Sequence, residues 1–393
     1  MTVLSAAEQP LLDEAVREFE HAYGRPPSVA AIAPGRVNLI GDHTDYTDGL
    51  CLPFAIDRYV AIVGAPAQHA HTRLRSTQSS DMETIELSPA PLPIVGNWSD
   101  YVRGVIEGLR DHDVHAPPMD MMIHSNLPTG AGLSSSAALE VGVAHFLLAA
   151  AGQERSNATI VALTQQAEHR YAGVPCGTMD QFSVANGVAG AFMMLDNRSL
   201  TAQTVVPADR DLGYLVVNSG VSHDLADGGY ADRRSGCEAA EQALGKSLRD
   251  TTLAELASVV TDPTAFKRAT HVISENARVT AMVSALETGN RDRIAALMYA
   301  GHQSLRDDFE NSVPEIDLLV ALASDMRSDG VVGARMTGGG FGGAVIVPAA
   351  VDTITQIADA LTEQYRKATQ IDASWLVVTP SAGARNITEA LSS

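Results

Sequence analysis

The sequence predicts an α+β protein built from two domains. Its 393 residues exceed what one hydrophobic core usually organises, and their 45% hydrophobic content is that of an ordinary globular protein. In the C-terminal half a long helical region precedes the order strand, strand, helix, strand, which is typical of an antiparallel sheet covered by helices. Polar residues and Pro207 mark a junction near residues 200–210. We therefore expect an N-terminal domain over residues 1–205 and a C-terminal domain over residues 206–393.

The N-terminal half is expected to combine helices with short strands. Apolar residues at helical spacing from Leu11 to Phe19, followed by Gly24, predict the first helix. Alternating or continuous apolar residues predict further strands, and longer apolar periodicity predicts further helices. The strands are expected at residues 29–40 (interrupted at Pro34-Gly35), 52–56, 60–64, 84–87, 119–124 and 191–195, and the helices at 101–109, 137–151 and 157–171, with Asn157 as N-cap.

The C-terminal half is expected to begin with a strand at residues 214–217. Helical patterns then run from near Asp232 to about Met326. Strands are predicted at residues 331–336, 344–347 and 374–379, with a glycine turn at 337–343 and a helix at 353–368. Residues 173–190 show no regular pattern and are expected to be irregular.

Charge and cysteine content restrict the class of protein. The net charge of −20 argues against nucleic acid or an anionic membrane as a partner. The three cysteines are widely spaced and odd in number, so they indicate neither a disulfide framework nor a metal motif. The N-terminus lacks the pattern of a signal peptide, and no apolar run is long enough to span a bilayer. We therefore expect a cytoplasmic protein.

Residues 127–140 form a glycine-rich loop that leads directly into an apolar helix. Gly130 and Gly132 allow close approach of the backbone to a ligand, and three serines from Ser134 to Ser136 supply hydroxyls where helix N–H groups are free. Free N–H groups and the helix dipole favour a phosphate there. The loop lacks the lysine of the common GxxxxGK[ST] motif, and an ordinary loop with a helix cap remains an alternative.

A second cluster, at residues 35–46, combines a cation with three hydrogen-bonding side chains. Asp42, His43 and Asp45 suit the hydroxyls of a polyhydroxylated ligand better than a metal ion, which is the less favoured alternative. Arg36 lies in a predominantly apolar strand, so it needs a carboxylate or an anionic ligand. Asp180 is the best candidate for that carboxylate, and an ionised carboxylate there could accept a hydroxyl proton.

Two further segments complete the candidate site. Glu168 lies near a helix C-terminus, where it is either an exposed solubilising residue or a metal ligand. The turn at residues 337–343 contains five glycines, more than its length requires. Close approach to a ligand or to the first loop would explain them, and a tight hairpin turn is the alternative.

The four clusters together resemble the GHMP kinase superfamily, and within it the galactokinase family. Residues 35–46 look like the galactokinase signature, 127–138 like the ATP loop and 336–343 like the third glycine motif, with similar segments at 179–181 and 230–234. The resemblance runs in the family's order through most of the chain. It implies an N-terminal mixed sheet with helices, a C-terminal antiparallel ferredoxin-like sheet with helices, and an active site in the cleft between them.

The resemblance also implies roles for individual residues. The catalytic residues would be Asp180, as the base, and Arg36, which would orient it and stabilise the transferring phosphoryl group. Trp98 would lie near the adenine, and the Asp at position 42 departs from the commoner Glu, which leaves the fine sugar specificity open. The remaining implied residues are Asp42, His43, Thr44, Asp45, Gly177 and Tyr230 for the sugar, Gly130, Ala131, Gly132, Leu133, Ser134, Ser135 and Ser136 for the ATP phosphates, and Ser136 with Glu168 for Mg²⁺.

The implied activity is ATP-dependent phosphorylation of the anomeric hydroxyl of galactose, giving α-D-galactose 1-phosphate and ADP. The expected ligands are therefore galactose, ATP and Mg²⁺, and we expect a monomer. Two alternatives are a kinase for another sugar, such as N-acetylgalactosamine or arabinose, and a non-catalytic sugar sensor. The intact serines of the loop, Arg36 and Asp180 argue against the sensor.

Overall fold

The computed structural model describes residues 3–88, 90–128, 132–222 and 226–392. The chain forms three sheets, of six, four and three strands, with eleven α-helices in the described residues. None of the described helices combines the length and apolar character needed to cross a membrane.

The N-terminal half contains the elements up to residue 205. They are α1 (Glu8–Tyr23), β1 (Val29–Asn38), β2 (Leu50–Cys51), β3 (Pro53–Pro66), β4 (His71–Ser76), β5 (Met82–Glu86), α2 (Ser99–Arg110), β6 (Met119–Ser125), α3 (Ser135–Ala150), α4 (Asn157–Ala167), α5 (Met179–Asn186), β7 (Phe192–Asp196) and β8 (Thr201–Val205).

The remaining elements follow from residue 212. They are β9 (Leu212–Ser222), α6 (Ala226–Leu244), α7 (Leu253–Val259), α8 (Pro263–Glu287), α9 (Arg291–Asp307), α10 (Pro314–Asp325), β10 (Arg335–Thr337), β11 (Gly342–Ala350), α11 (Ile354–Thr369), β12 (Ser374–Val378) and β13 (Arg385–Asn386).

The six-stranded sheet has the order β13-β1-β3-β6-β4-β5 and is mixed, because β4 and β6 are parallel while the other pairs are antiparallel. Successive side chains of a strand point to opposite faces. Accordingly Ile32 and Ala61 pack with α1 on one face, whereas Ala33 and Ile62 belong to the larger core that includes α2, α3 and α4. The predicted mixed sheet with helices is confirmed.

The four-stranded sheet is antiparallel and has the order β10-β11-β9-β12. If these four strands are numbered 1 to 4 along the chain, their order in the sheet is 2-3-1-4. The long helical segment follows its first strand and α11 its third, so the C-terminal half has the predicted ferredoxin-like arrangement. Buried residues of β9, β11 and α11 form its core.

Several elements differ from the sequence predictions. Helix α5 lies inside residues 173–190, which were expected to be irregular, and the strands predicted at 52–56 and 60–64 form one continuous strand, β3. Ser156, not Asn157, is the N-cap of α4, since its hydroxyl accepts the N–H of Thr159. Of residues 331–336 only the last two lie in a strand, and β2, β4, β8 and β13 were not predicted.

The C-terminal tail returns to the first half of the chain. After β12 it continues to β13, which pairs antiparallel with β1 through Ala31 and Ile32. The hydroxyl of Ser381 also donates to the carbonyl of Ile56 at 2.9 Å. The last strand therefore adds to the N-terminal sheet, and the boundary between residues 205 and 206 stays a prediction.

Candidate active site

Three of the four polar clusters line one cleft with a volume of about 170 Å³, and the fourth, the glycine-rich loop, borders it through hydrogen bonds with Arg36 and Asp180. Segments 36–45, 168–180, 230 and 338–339 all contribute to it. The cleft is lined by Arg36, Asp42, His43, Asp45, Glu168, Val174, Cys176, Met179, Asp180, Tyr230, Gly338 and Gly339.

Asp180 lies in the first turn of α5 and is held by two neighbours. Arg36 Nε and Nη2 lie 2.8 and 2.5 Å from Asp180 Oδ1, and the Ser134 hydroxyl donates to Oδ2 at 2.5 Å. Arg36 is 5% exposed, and its Nη1 donates to the carbonyl of Gly132 at 2.7 Å. The expected pairing of Arg36 with Asp180 is therefore present, and it brings the carboxylate beside the glycine-rich loop.

The glycine-rich loop differs from an ordinary capped helix. Ser134 occupies the N-cap of α3 with a left-handed φ of 55°, and its side chain makes no capping hydrogen bond. Its hydroxyl instead donates to Asp180, so the Ser134 side chain accepts no hydrogen bond from the first N–H groups of the helix. The carbonyl of Leu133 accepts the N–H of Arg36 at 3.1 Å, which ties the loop to β1. Gly130 and Ala131 lie outside the described residues.

Glu168 follows α4, at the start of a π-helical turn, and is buried. Its Oε1 accepts the Ser136 hydroxyl at 2.9 Å, and its Oε2 accepts Gln181 Nε2 at 2.5 Å. Burial, and then the charge of Asp180, raises the pKa of the Glu168 carboxyl above its ordinary value. The alternative of an exposed solubilising glutamate is therefore wrong.

Ser136 and Glu168 can be tested as ligands of Mg²⁺. Within the described part of the chain no three His, Cys, Asp or Glu side chains converge into a self-contained metal site. Mg²⁺ usually takes one or two carboxylates and completes its coordination with phosphate and water. One buried carboxylate and one hydroxyl at the start of α3 fit that requirement.

Asp45 is partly exposed in the cleft. Burial, and then the charge of Asp180, raises the pKa of its carboxyl from 3.8 to about 7. Gly177 packs directly on this carboxylate, because a β-carbon at that position would overlap its Oδ2. Gly177 thus leaves the space that Asp45 occupies.

His43 has a left-handed backbone with a φ of 62° and is buried among aromatic rings. Its Nδ1 lies 2.9 Å from the Tyr46 hydroxyl and its Nε2 3.0 Å from the carbonyl of Gly339. The ring of Tyr230 is 5.3 Å away, between centroids. Burial lowers the pKa of His43 to about 3, so the imidazole is neutral at physiological pH.

Asp42 and Thr44 make contacts within the protein. Asp42 is 1% exposed, and its Oδ2 accepts Arg335 Nη2 at 2.7 Å. Thr44 is fully buried, with its hydroxyl 2.8 Å from the carbonyl of Gly41 and 2.7 Å from that of Leu50. The roles of these two residues toward a sugar stay predictions.

The turn at residues 337–343 needs its glycines. Gly338 and Gly340 have φ values of 86° and 89°, which favour glycine, and the N–H of Gly338 donates to Asp42 Oδ1 at 3.1 Å. A β-carbon at Gly340 would meet the backbone of Asn311. The turn joins the antiparallel strands β10 and β11, so it is a hairpin turn, and it also borders the cleft and contacts the loop at Asn311. Its approach to a ligand stays a prediction.

Models of known families match three parts of the chain. The galactokinase galactose-binding signature matches residues 17–66, the GHMP kinase N-terminal domain 100–188 and the GHMP kinase C-terminal domain 282–367. A galactokinase of Pasteurella multocida (strain Pm70) is 38% identical over 381 residues, which cover 94% of this chain and 97% of that protein. The chain belongs to the galactokinase family.

Other members of the galactokinase family support the same assignment. A galactokinase of Homo sapiens is 41% identical over 357 residues, covering 87% of this chain and 90% of that protein. The crystal structure of Lactococcus lactis galactokinase complexed with galactose superposes with a TM-score of 0.90 at 29% identity. The match covers 95% of this chain and 99% of that chain, so the predicted GHMP kinase fold is confirmed.

A second cavity of about 290 Å³ lies beside Ser135 and Ser136 in this galactokinase-family chain. Trp98 and Tyr101 contribute aromatic rings to it, and Ser135 and Ser136 lie at its edge. The complete lining is Val60, Ser76, Gln78, Ser79, Trp98, Tyr101, Ile123, Ser125, Ser135, Ser136 and Leu139.

Sequence reasoning missed three residues that support the site of this galactokinase-family protein. Gln181 holds Glu168, Arg335 holds Asp42, and Glu275 holds Arg335 at 2.7 Å. Gln181 lies inside the recognised segment 179–181, where no role was assigned to it, and Arg335 lies directly before the segment 336–343. Glu275 lies in the middle of a long helix, and no local pattern distinguishes it.

Proposed function

We propose that this chain transfers the γ-phosphoryl group of ATP to the anomeric hydroxyl of galactose. The products are α-D-galactose 1-phosphate and ADP. The single observation that carries the proposal is the position of Asp180, which lies in the cleft between Asp45 and the glycine-rich loop and is held by Arg36 and Ser134. A proton acceptor for a sugar hydroxyl is thereby placed beside a loop suited to phosphates.

Asp180 and Arg36 act together in this proposal. Asp180 accepts the proton of the attacking hydroxyl, and Arg36 fixes the orientation of the carboxylate through two nitrogens on one oxygen. The same guanidinium lies against the carbonyl of Gly132 and places positive charge at the loop. Phosphoryl transfer proceeds through a loose transition state, so positioning and charge stabilisation account for most of the catalysis.

The sugar would be held mainly by Asp45, His43 and Tyr230. Asp45 offers carboxylate oxygens as acceptors, and neutral His43 and Tyr230 border the same space with polar edges. Gly177 completes the wall by leaving room for the Asp45 carboxylate. Asp42 and Thr44 complete the predicted set.

ATP would occupy the region around the serines. Gly132, Leu133, Ser134, Ser135 and Ser136 would surround the phosphates, and the cavity beside Trp98 would take the flat aromatic adenine. Ser136 and Glu168 would hold Mg²⁺, which supplies positive charge to the phosphates when bound. We also propose that the protein works as a cytoplasmic monomer.

A coupled assay for ADP release over a panel of free sugars tests the function. We expect turnover with galactose to exceed that with N-acetylgalactosamine and arabinose. No turnover with any aldose would overturn the kinase proposal in favour of a sugar sensor. Preferential turnover of another sugar would overturn the assignment to galactose.

The role of Asp180 has its own test. Asp180→Asn keeps the shape of the side chain but removes the proton acceptor, so turnover should fall by about 10²- to 10⁴-fold. Binding of galactose, measured by calorimetry, should persist. Retained turnover would remove Asp180 from the proposed chemistry.

A further inference from the structure

A buried cluster of ion pairs lies beneath the cleft and joins three segments of the chain. Arg335 at the start of β10 is fully buried, and its Nη2 and Nη1 each donate at 2.7 Å, to Asp42 Oδ2 and Glu275 Oε1. Glu275 on α8 is also fully buried, and its Oε2 accepts Arg278 Nε at 2.5 Å. Two guanidinium groups thus balance two carboxylates. Such clusters contribute little net stability but can specify one local geometry.

The cluster holds the loop that carries the sugar-facing residues. Glu275 Oε1 accepts the N–H of Gly41 at 2.9 Å, and Asp42 Oδ1 accepts the N–H of Gly338 at 3.1 Å. The next residue, His43, has a left-handed backbone that is unfavourable for a non-glycine residue. Such conformations persist only where the surroundings determine them. Fixing Gly41 and Asp42 therefore fixes the position from which His43 enters the cleft.

The neighbouring helix makes room for this cluster. Gly301 lies in the interior of α9, where glycine is unfavourable relative to alanine. A β-carbon there would overlap the Arg335 guanidinium. A glycine at this position is therefore explained by the space that Arg335 requires.

Asp42 connects the cluster to the cleft, because it lines the cleft while Arg335 and the backbone of Gly338 hold its carboxylate. Asp42 is almost completely buried, and each of its oxygens already accepts a hydrogen bond, from Arg335 and from Gly338. Asp45 remains partly exposed in the cleft. We propose that Arg335 and Glu275 are positioning residues for the sugar site, which act through the side chain of Asp42 and the backbone of Gly41. This positioning role rests on the proposed function only for the identity of the sugar that the site binds.

Steady-state kinetics test the positioning role. Arg335→Lys keeps the charge but loses the planar group that reaches both carboxylates, so the KM for galactose should rise about 10- to 100-fold. The KM for ATP should stay within about twofold, because the serines and Glu168 make no contact with this cluster in the described residues. Arg306→Lys, at an exposed arginine on α9, is the matched control. Equal rises in both KM values would indicate a general structural defect and overturn the proposal.

Gly301→Ala keeps the test decisive if Arg335→Lys does not fold. It displaces the same guanidinium without removing a charge, and we expect the same selective rise in the KM for galactose. Glu275→Gln should act in the same direction. Unchanged KM values for galactose in folded Gly301→Ala and Glu275→Gln would overturn the positioning role.

Hydrogen–deuterium exchange of the free protein tests whether the cluster holds residues 39–50, independently of the proposed activity. Arg335→Lys should accelerate exchange in peptides covering residues 39–50 by about tenfold, because the amide of Gly41 loses its fixed acceptor. Peptides covering α11 should be unchanged. This measurement needs no substrate, so unaltered exchange overturns the cluster's role even if the chain phosphorylates galactose. Absence of turnover with altered exchange would instead contradict only the proposed function.

Discussion

Asp45 offers a direct test of the electrostatics of the cleft. Its carboxyl has a pKa raised from 3.8 to about 7 by burial and by the nearby charge of Asp180. A carboxyl with a raised pKa stabilises the fold fully below its unfolded pKa and loses that contribution as pH rises toward the folded pKa. The folded protein therefore carries an electrostatic cost at neutral pH that the unfolded chain does not.

The magnitude follows from the shift. A difference of about 3 pKa units corresponds to about 4 kcal/mol at pH 8, where Asp45 is ionised in both states. At pH 5 the folded state is mostly protonated and the cost is about 2 kcal/mol. Asp45→Asn mimics the protonated acid, so it should raise the free energy of unfolding by these amounts while it weakens galactose binding.

Urea denaturation of the free protein at pH 5 and pH 8 measures this effect. Asp48→Asn, at an exposed aspartate in the same loop, is the control and should change the free energy of unfolding by less than about 0.5 kcal/mol. A gain in the free energy of unfolding from Asp45→Asn that is below about 1 kcal/mol and equal at both pH values would show that neither burial nor repulsion by Asp180 raises the pKa of Asp45.

Three further predictions concern the sugar wall, the metal ligand and the core. Gly177→Ala places a methyl group in the space of the Asp45 carboxylate. The KM for galactose should therefore rise about tenfold or more in steady-state assays, with little change in the KM for ATP. Unchanged KM values would contradict this packing. Glu168→Gln should shift the Mg²⁺ titration of activity to higher concentrations, because one charged oxygen ligand is lost, and an unaltered titration would remove Glu168 from the metal site. Phe146→Ala on α3 should lower the free energy of unfolding by about 3–5 kcal/mol, since this fully buried ring leaves a cavity; a loss below about 1 kcal/mol in urea denaturation would contradict its place in the core.

The part of the site that could be predicted followed from local chemistry. An arginine within an apolar strand needs a partner, and this requirement points from Arg36 to Asp180, which are the two residues that pair in the fold. Five glycines in one short segment indicated a close backbone approach, and Gly338 and Gly340 do lie close to Asp42 and Asn311, while approach to a ligand stays a prediction.

What could not be predicted depends on distant residues. Ser134 looked like a helix cap, but its left-handed backbone turns the hydroxyl to Asp180, which is 46 residues away. Glu275 and Arg335 are 60 residues apart, and nothing in their local sequence indicates that they meet. Strand β13 was missed because it has only two residues and gains its stability from β1. Tertiary contacts decide such features, and local propensity does not.

The proposed reaction transfers the phosphoryl group to the anomeric hydroxyl of galactose. Incubation with ATP and either galactose or 1-deoxygalactose, followed by ³¹P NMR and measurement of ADP, identifies the hydroxyl that is phosphorylated. We expect galactose to give one sugar 1-phosphate for each ADP, and 1-deoxygalactose to bind without forming ADP or a sugar phosphate. A phosphate on any other carbon, or phosphorylation of 1-deoxygalactose, would contradict the proposed reaction.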